Sequence, residues 1–382
     1  MQFVVEREAF LKELSRVTGV IATRNTIPIV ANVRIDAGAG GLLLRATDLD
    51  MEAEAPCAAD VTSQGLTTVD GKLLADFVKR CPDGAQIAVT LEEARGRLKL
   101  VCGRARSTLP CLPAEDFPEL SGPSGEAARE FPVEADSLKR LIGRVKFAAT
   151  TDERRHYLQG AYLHQTENGL AAVCTNGHQL SLAHLDLPAG ADGLTGVILP
   201  RPFLAELMRL LPKEGEAALS VSPERVAVTL GEFRLTSRLI DGTYPDYPRV
   251  IPQKTDRRAF VERAALVKAL ERVMIVSEPK QSGVSLAFAA GELRLGVESQ
   301  TRGICADGVD AVYEGETLQT GANGRYLLDI CGALHCERLC IHLGADPSHA
   351  LRITNAEAPD SPDLIVLMPM AVRAIHEERE AA

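Results

Sequence analysis

The sequence predicts an α+β fold of three tandem similar domains, each built from two helices plus two antiparallel sheets. Three observations predict it. The word "VEREAFLKELSRV" at Val5 returns as "VEADSLKRLIGRV" at Val133 and as "VERAALVKALERV" at Val261, a period of 128 residues in a chain of 382. That period is too long for a solenoid unit of about 20 to 50 residues and falls at the common domain size of about 100 to 150. Between the repeated words the chain alternates apolar and polar residues, which is strand patterning. The Pro/Gly-rich stretches "PAEDFPELSGPSGEAAREF" and "DGTYPDYPRVIPQKTDRR" mark the joints. The domains are then residues 1–128, 129–255 and 256–382.

Each copy of the first word reads as a helix, because apolar residues such as Phe10, Leu14 and Val17 recur at helical spacing and form one stripe. Lys12 and Arg16 stand four apart on the side away from that stripe, as do Arg140 with Arg144 and Lys268 with Arg272. Glu6, Glu134 and Glu262 stand just ahead of the three helices, where the macrodipole favours acid. A second helical word follows in each domain: "KLLADFVKRC" from Lys72, "PFLAELMRLL" from Pro202 and "RYLLDICGAL" from Arg325. Stretches such as "GLLLRATDLDMEAEA" and "ERVAVTLGEFRLTSRL" supply the strands. Strand positions repeat too, since Gly103 and Arg106 return as Gly231 and Arg234, again 128 residues on.

Composition sets the class. The chain is 46% hydrophobic and 25% charged, enough for three small cores. No apolar run approaches a membrane helix and no signal peptide precedes Glu6, so the expected location is cytoplasmic, with no membrane partner. Nine cysteines, an odd number without a CxxC pair, read as reduced thiols. The cluster Cys331, His335, Cys336, Cys340 and His342 lacks ligand spacing, so neither a metal nor any other cofactor is expected. A net charge of −10 argues against general nucleic-acid affinity. Charge distribution overrules that sum if the three basic helix faces align into one concave positive surface. Six helices at about 9.5 Å spacing would close on an opening of about 8 Å, too narrow for a duplex whose major groove alone is about 12 Å wide. Twelve helices leave about 26 Å. A ring around DNA therefore needs two chains and six domains.

The words "RNTIPIVANV" from Arg24, "TDLDME" from Thr47, "LPAEDFPEL" from Leu112, "TNGHQL" from Thr175, "DGTYPDYPRVIP" from Asp241 and "VLMPM" from Val366 span all three domains. Through them the whole chain resembles the bacterial DNA polymerase III beta subunit family, the replicative sliding clamps. The resemblance implies the DNA clamp fold and a head-to-tail homodimeric ring that encircles duplex DNA without regard to sequence. It implies a processivity factor for DNA replication with no catalysis of its own. Its partners would be the DNA polymerase III catalytic subunit, a clamp loader, and other polymerases and repair proteins carrying clamp-binding peptides. The DNA-facing set would be Lys12, Arg16, Arg24, Lys72, Arg140, Arg144, Arg201, Lys268 and Arg272. A peptide-binding cleft between domains two and three would comprise Leu158, Thr175, Gly177, His178, Leu180, Pro245, Arg249, Val250, Val366, Met368, Pro369 and Met370. The dimer interface would use Arg104, Arg106, Leu109, Ile275 and Val276.

Several positions depart from the family pattern. Asn176 and Gln179 replace an Asp and an Arg, and Pro248 replaces an Arg, which lowers the charge around the cleft. Ser107 stands at an aromatic interface position, and "QTRGICAD", with Arg302, replaces an acidic run. Pro202 replaces a basic pore residue. The tail "RAIHEEREAA" runs on after Val372 beside the cleft.

Two other classes are open. A clamp paralogue could capture peptides without encircling DNA. An enzyme could use Asp48, Asp50 and Glu52, read as alternating on one strand face, to hold Mg²⁺, or His178 near Ser181. No Walker or GxGxxG loop is present, and the chain is expected not to be an enzyme.

Overall fold

The computed structural model describes residues 1–22, 26–255, 257–278 and 282–372; Arg24 and the tail "RAIHEEREAA" lie outside them. Each copy of the first word is split between two elements. Its leading Val-Glu ends a strand (Gln2–Glu6, Arg129–Glu134 and Arg257–Glu262), and the rest forms a helix. The helices in chain order are α1 (Arg7–Val17), α2 (Gly71–Arg80), α3 (Ala135–Val145), α4 (Arg201–Leu210), α5 (Arg263–Val273) and α6 (Gly324–Ala333). Glu6 and Glu262 keep extended backbone angles, so the change from strand to helix period falls on the acid itself. Asp70 caps α2 by accepting the Leu73 N–H at 2.8 Å, and Asn323 caps α6 by accepting that of Arg325 at 3.0 Å. Each such cap contributes about 1 kcal/mol. The predicted stripe of α1 is fully buried at Phe10, Leu14 and Val17. Leu266, Leu270 and Val273 of α5 join Val284, Phe288, Leu327 and Ile330 in the core of the third repeat.

The described strands pair antiparallel throughout, and compactness follows the sheets rather than the repeats. One compact unit holds residues 1–139 and 188–241; the other holds 140–187 and the chain from Gly242 on. In the first unit, thirteen strands of the described residues form one continuous sheet. The reason is backbone pairing between repeats. Phe233–Arg238, from the second repeat, joins Met51–Cys57, from the first, with Arg234 opposite Glu54, Thr236 opposite Glu52 and Ser237 opposite Met51. The second unit repeats the device. Gln179–Leu185 joins Leu364–Leu367, with Gln179 opposite Leu367 and Leu180 opposite Val366.

Hairpin registers identify equivalent positions. Leu42 pairs with Cys57, Leu170 with Leu185 and Leu293 with Val309. Met51 and Gln179 therefore correspond to Gly303 at the start of the strand Gly303–Tyr313. Likewise Ala105–Leu112 of the first repeat corresponds to Phe233–Arg238 of the second, with Arg106 at the place of Arg234.

His342 lies in the sheet of the third repeat, 1% exposed, with Arg258 and Arg352 at its positions on the two flanking strands. Its Nε2 is 3.0 Å from Thr354 Oγ1 and its Nδ1 is buried without a hydrogen-bond partner. Burial first, then the charges of Arg352 and Arg258, push its pKa down to about 4. The unfolded chain takes up this proton near pH 6.5, the folded chain only near 4. Stability from the neutral ring is thus present above pH 6.5 and lost as pH falls from there toward 4. The melting temperature of the wild type should fall more steeply than that of His342→Gln between pH 6.5 and 4.5. Parallel slopes in differential scanning fluorimetry would refute this.

Candidate functional site

The three helices from the first word carry their basic residues at equivalent positions but in two different states. Lys12, Arg140 and Lys268 are exposed, and Lys12 Nζ is 3.2 Å from Glu13. One turn on, each arginine is held by a carboxylate. Arg16 bonds Glu13 at 3.1 Å with its guanidinium 4.2 Å from the centre of the Phe233 ring, Arg144 pairs with Asp363, and Arg272 bonds Asp307 at 2.5 Å. Arg16 is only 23% exposed, so packing claims it as much as any anion would. The Arg272 guanidinium holds the Asp307 carboxyl below the usual range. Lys72 and Arg201 stand exposed in the first turns of α2 and α4.

The expected cleft residues all fall in the second unit. Thr175 to Gln179 form a tight turn: Thr175 Oγ1 donates to the Gln179 carbonyl (2.7 Å), while Asn176 Oδ1 accepts the N–H groups of His178 (2.9 Å) and Gln179 (3.0 Å). Thr47 to Met51 make the same turn 128 residues earlier, with Asp48 Oδ1 accepting from Asp50 and Met51. Asn therefore does the work of Asp at position 176 without the charge. The turn is tied to the last strand, because the Met368 N–H donates to the His178 carbonyl at 2.9 Å. Leu158, Leu180 and Val366 are buried, with Leu180 and Val366 directly paired, whereas Met368 and Met370 are about two-fifths exposed. Pro245, Arg249 and Val250 are exposed on a separate loop, and Pro369 is half-buried. The Met370 N–H donates to the Gly321 carbonyl at 2.8 Å, and the His178 ring lies over Tyr326 with centroids 6.4 Å apart.

Arg155 has no place in the sequence-based set. It donates through Nη1 to the Asn176 carbonyl (2.7 Å) and through Nε to Asp152 (3.1 Å), bracing the turn from behind. Tyr326 is a second such residue. The basic pair in "ERRHYL" was the only sequence signal for Arg155, and such pairs usually mean a solvated surface.

At the expected interface, Arg104 and Arg106 are exposed and Ser107 is half-buried, while Leu109 is 9% exposed. Ile275 is 73% exposed, Ile304 64% and Val276 half-buried. Arg302 donates to the Ser277 carbonyl at 2.9 Å.

The enzymatic reading is corrected by geometry. Asp48, Asp50 and Glu52 do not share a strand face: the strand begins at Met51, Asp48 caps the turn, and Glu52 accepts the Leu120 N–H at 3.1 Å. Ser181 is buried and its hydroxyl donates to the Arg144 carbonyl at 2.7 Å, whereas His178 is exposed. All nine cysteines are free thiols, and burial pushes that of Cys331 up to about 12. No group of three or more His, Cys, Asp or Glu among the described residues is arranged to hold a metal. None of the described helices is long and apolar enough to cross a membrane.

Three similar domains of helices on antiparallel sheets, joined edge to edge, define a clamp-type protein. Residues 1–121, 132–246 and 248–371 match the N-terminal, central and C-terminal domains of the DNA polymerase III beta subunit. The chain is 38% identical to the beta sliding clamp of Caulobacter vibrioides, over 96% of both chains. Its fold matches the sliding clamp of Bartonella birtlesii bound to griselimycin, with a TM-score of 0.92, 37% identity, and 97% of this chain and 100% of that one covered. It matches equally the C. crescentus clamp with polyethylene glycol bound to a "putative beta-motif tethering region", with a TM-score of 0.92, 37% identity, and 97% and 99% covered. The chain belongs to the DNA polymerase III beta subunit family, and its function is that of a processivity clamp in DNA replication.

Gly177 occupies the third position of the 175–179 turn with φ +86°, and a Cβ there would meet Arg155 Nη1 at 3.0 Å. Leu49 holds the equivalent position with φ +84°, so the turn tolerates a side chain under strain. Gly177→Ala should fold but lose about 1–2 kcal/mol in urea unfolding. An unchanged midpoint would contradict the strain.

Proposed function

We propose that two copies of this chain close head to tail into a six-domain ring around duplex DNA. The clamp then holds the polymerase catalytic subunit, and in turn other polymerases and repair proteins, through the cleft formed by the 175–180 turn, the 245–250 loop and residues 366–370. A clamp loader would place it on DNA. The repeat boundaries near residues 128 and 255 belong to this reading.

One observation carries the closure. Within the chain, the edge at Met51 is filled by Phe233–Arg238 and the edge at Gln179 by Leu364–Leu367. Among the described residues, the equivalent edge from Gly303 and the stretch 105–110 of the donor strand, whose last two residues pair with Thr68 and Val69, have no second strand beside them, one at each end of the repeat series. An unpaired strand edge is a template for another strand. Transferring the internal register sets Arg106 opposite Ala306, Ser107 opposite Cys305, Thr108 opposite Ile304 and Leu109 opposite Gly303 of the second copy. Exposed Ile275 would add apolar contact there.

Directly opposed residues of an antiparallel pair lie about 4.5–5.5 Å apart at Cα, within reach of a disulfide. Ser107→Cys should therefore cross-link to native Cys305 under mild oxidation and give a species of twice 41.0 kDa in denaturing gels. Thr108→Cys, whose side chain faces the other side of the sheet, should not. Oxidised after loading, the ring should stay on nicked circular DNA and leave when the circle is cut. A mass near 41.0 kDa across a dilution series, without cross-linking, would favour the peptide-binding paralogue.

A further inference from the structure

We infer that His164 and Tyr247 form a hydrogen-bonded latch that holds the 241–250 loop, and with it Pro245, Arg249 and Val250, in the peptide-receiving position; this rests on the cleft reading above. In "YPDYPRV" the two tyrosines turn inward, 7% and 9% exposed, while the residues between and after them stay exposed. The bonds the loop makes within itself, from the Tyr247 N–H to the Pro245 carbonyl (2.7 Å) and from Arg249 to Asp246 (2.6 Å), do not fasten it to the sheet. The tyrosines do. The Tyr244 hydroxyl donates to the Val173 carbonyl at 3.3 Å, and its ring lies parallel to that of Tyr162 at 4.9 Å. Tyr162 stacks in turn on His164 at 4.5 Å, and both come from one face of the strand Gly160–Thr166. Tyr247 meets His164 edge-on, its hydroxyl 2.9 Å from Nε2.

Packing alone does not account for an imidazole at position 164. Its Nδ1 is buried and makes no hydrogen bond of normal geometry, a cost that a phenylalanine would avoid while stacking as well. What the imidazole adds is a directional bond to the Tyr247 hydroxyl. That bond fixes the first residue of the helical turn Tyr247–Val250, and so the direction in which Arg249 and Val250 leave the sheet. Burial, and then the neighbouring His184, keep His164 below its usual pKa and the latch uncharged near neutrality.

The test is the affinity of the full-length protein for a synthetic peptide carrying the clamp-binding segment of the DNA polymerase III catalytic subunit, read by fluorescence anisotropy. Tyr247→Phe and His164→Phe should each weaken binding about 5–10-fold, the worth of one hydrogen bond. The double variant should be no weaker than either single one, and His164→Gln, whose amide can still meet the hydroxyl, should stay within about twofold. Retention on circular DNA serves as the folding control and should be unchanged. Wild-type affinity in both single variants, or losses that multiply in the double, would overturn the latch alone. A wild type that does not bind the peptide would overturn the cleft reading and the latch with it.

Discussion

The constraint on which the rest depends is that a strand edge cannot be left unpaired without consequence. Along such an edge every second residue presents an N–H and a C=O outward, and an open edge invites any strand that fits. Each joint inside this chain meets that need with the next repeat. Pairing of 51–54 with 234–237 fuses the first repeat to half of the second. Pairing of 179–182 with 364–367 fuses the other half to the third. Three sequence repeats consequently give two compact units. The leftover edges are unlike, so the proposed self-association through them would be head-to-tail, which closes into a ring only if the rotation per step divides the circle.

The charge pattern suits a protein that surrounds a polyanion without gripping it. At the ends of three equivalent helices, Arg16, Arg144 and Arg272 are each answered by a carboxylate, while Lys12, itself 3.2 Å from Glu13, is exposed together with Arg140 and Lys268. A protein neutralising six to ten phosphates loses about 10³ to 10⁵ in affinity between 50 and 200 mM salt, so a tight grip would depend on ionic strength and oppose sliding. In the proposed ring, a negative total charge with few exposed cations on these helices would leave retention to topology.

Much of this was legible in the sequence, and what was not has a common cause. The 128-residue period, the apolar stripe of Phe10, Leu14 and Val17, and the two helical words are local patterns, and local patterns survive into structure. Continuity of the sheets, the brace of Arg155 behind Asn176, and the packing of His164 with Tyr247 depend on residues 21 to 188 apart in sequence, which periodicity does not report. Asp48 was misread because alternation of Asp48, Asp50 and Glu52 has the period of a strand, whereas an Asx cap had already claimed the first of them. The cleft residues came from family resemblance, not from any pattern in the chain itself.

The proposed cleft is built on a copy of a repeated joint. At the first joint the Arg238 N–H donates to the Asp50 carbonyl at 2.8 Å, and at the second the Met368 N–H donates to the His178 carbonyl at 2.9 Å. The backbone bond is the same and the side chains differ: Arg238 and Asp50 face each other with charges 4.0 Å apart, while Met368 offers an exposed thioether and His178 an imidazole that lies over Tyr326. The charged seam is solvated and closed to apolar ligands. The second exposes soft, polarisable surface on a backbone held by sheet pairing, which would suit the proposed capture of several partners. In the proposed closing joint the equivalent donor position is Pro110, which has no N–H to give. The joint between copies therefore lacks a bond that both joints within the chain possess, and if any of the three must open, it is the one built to yield first.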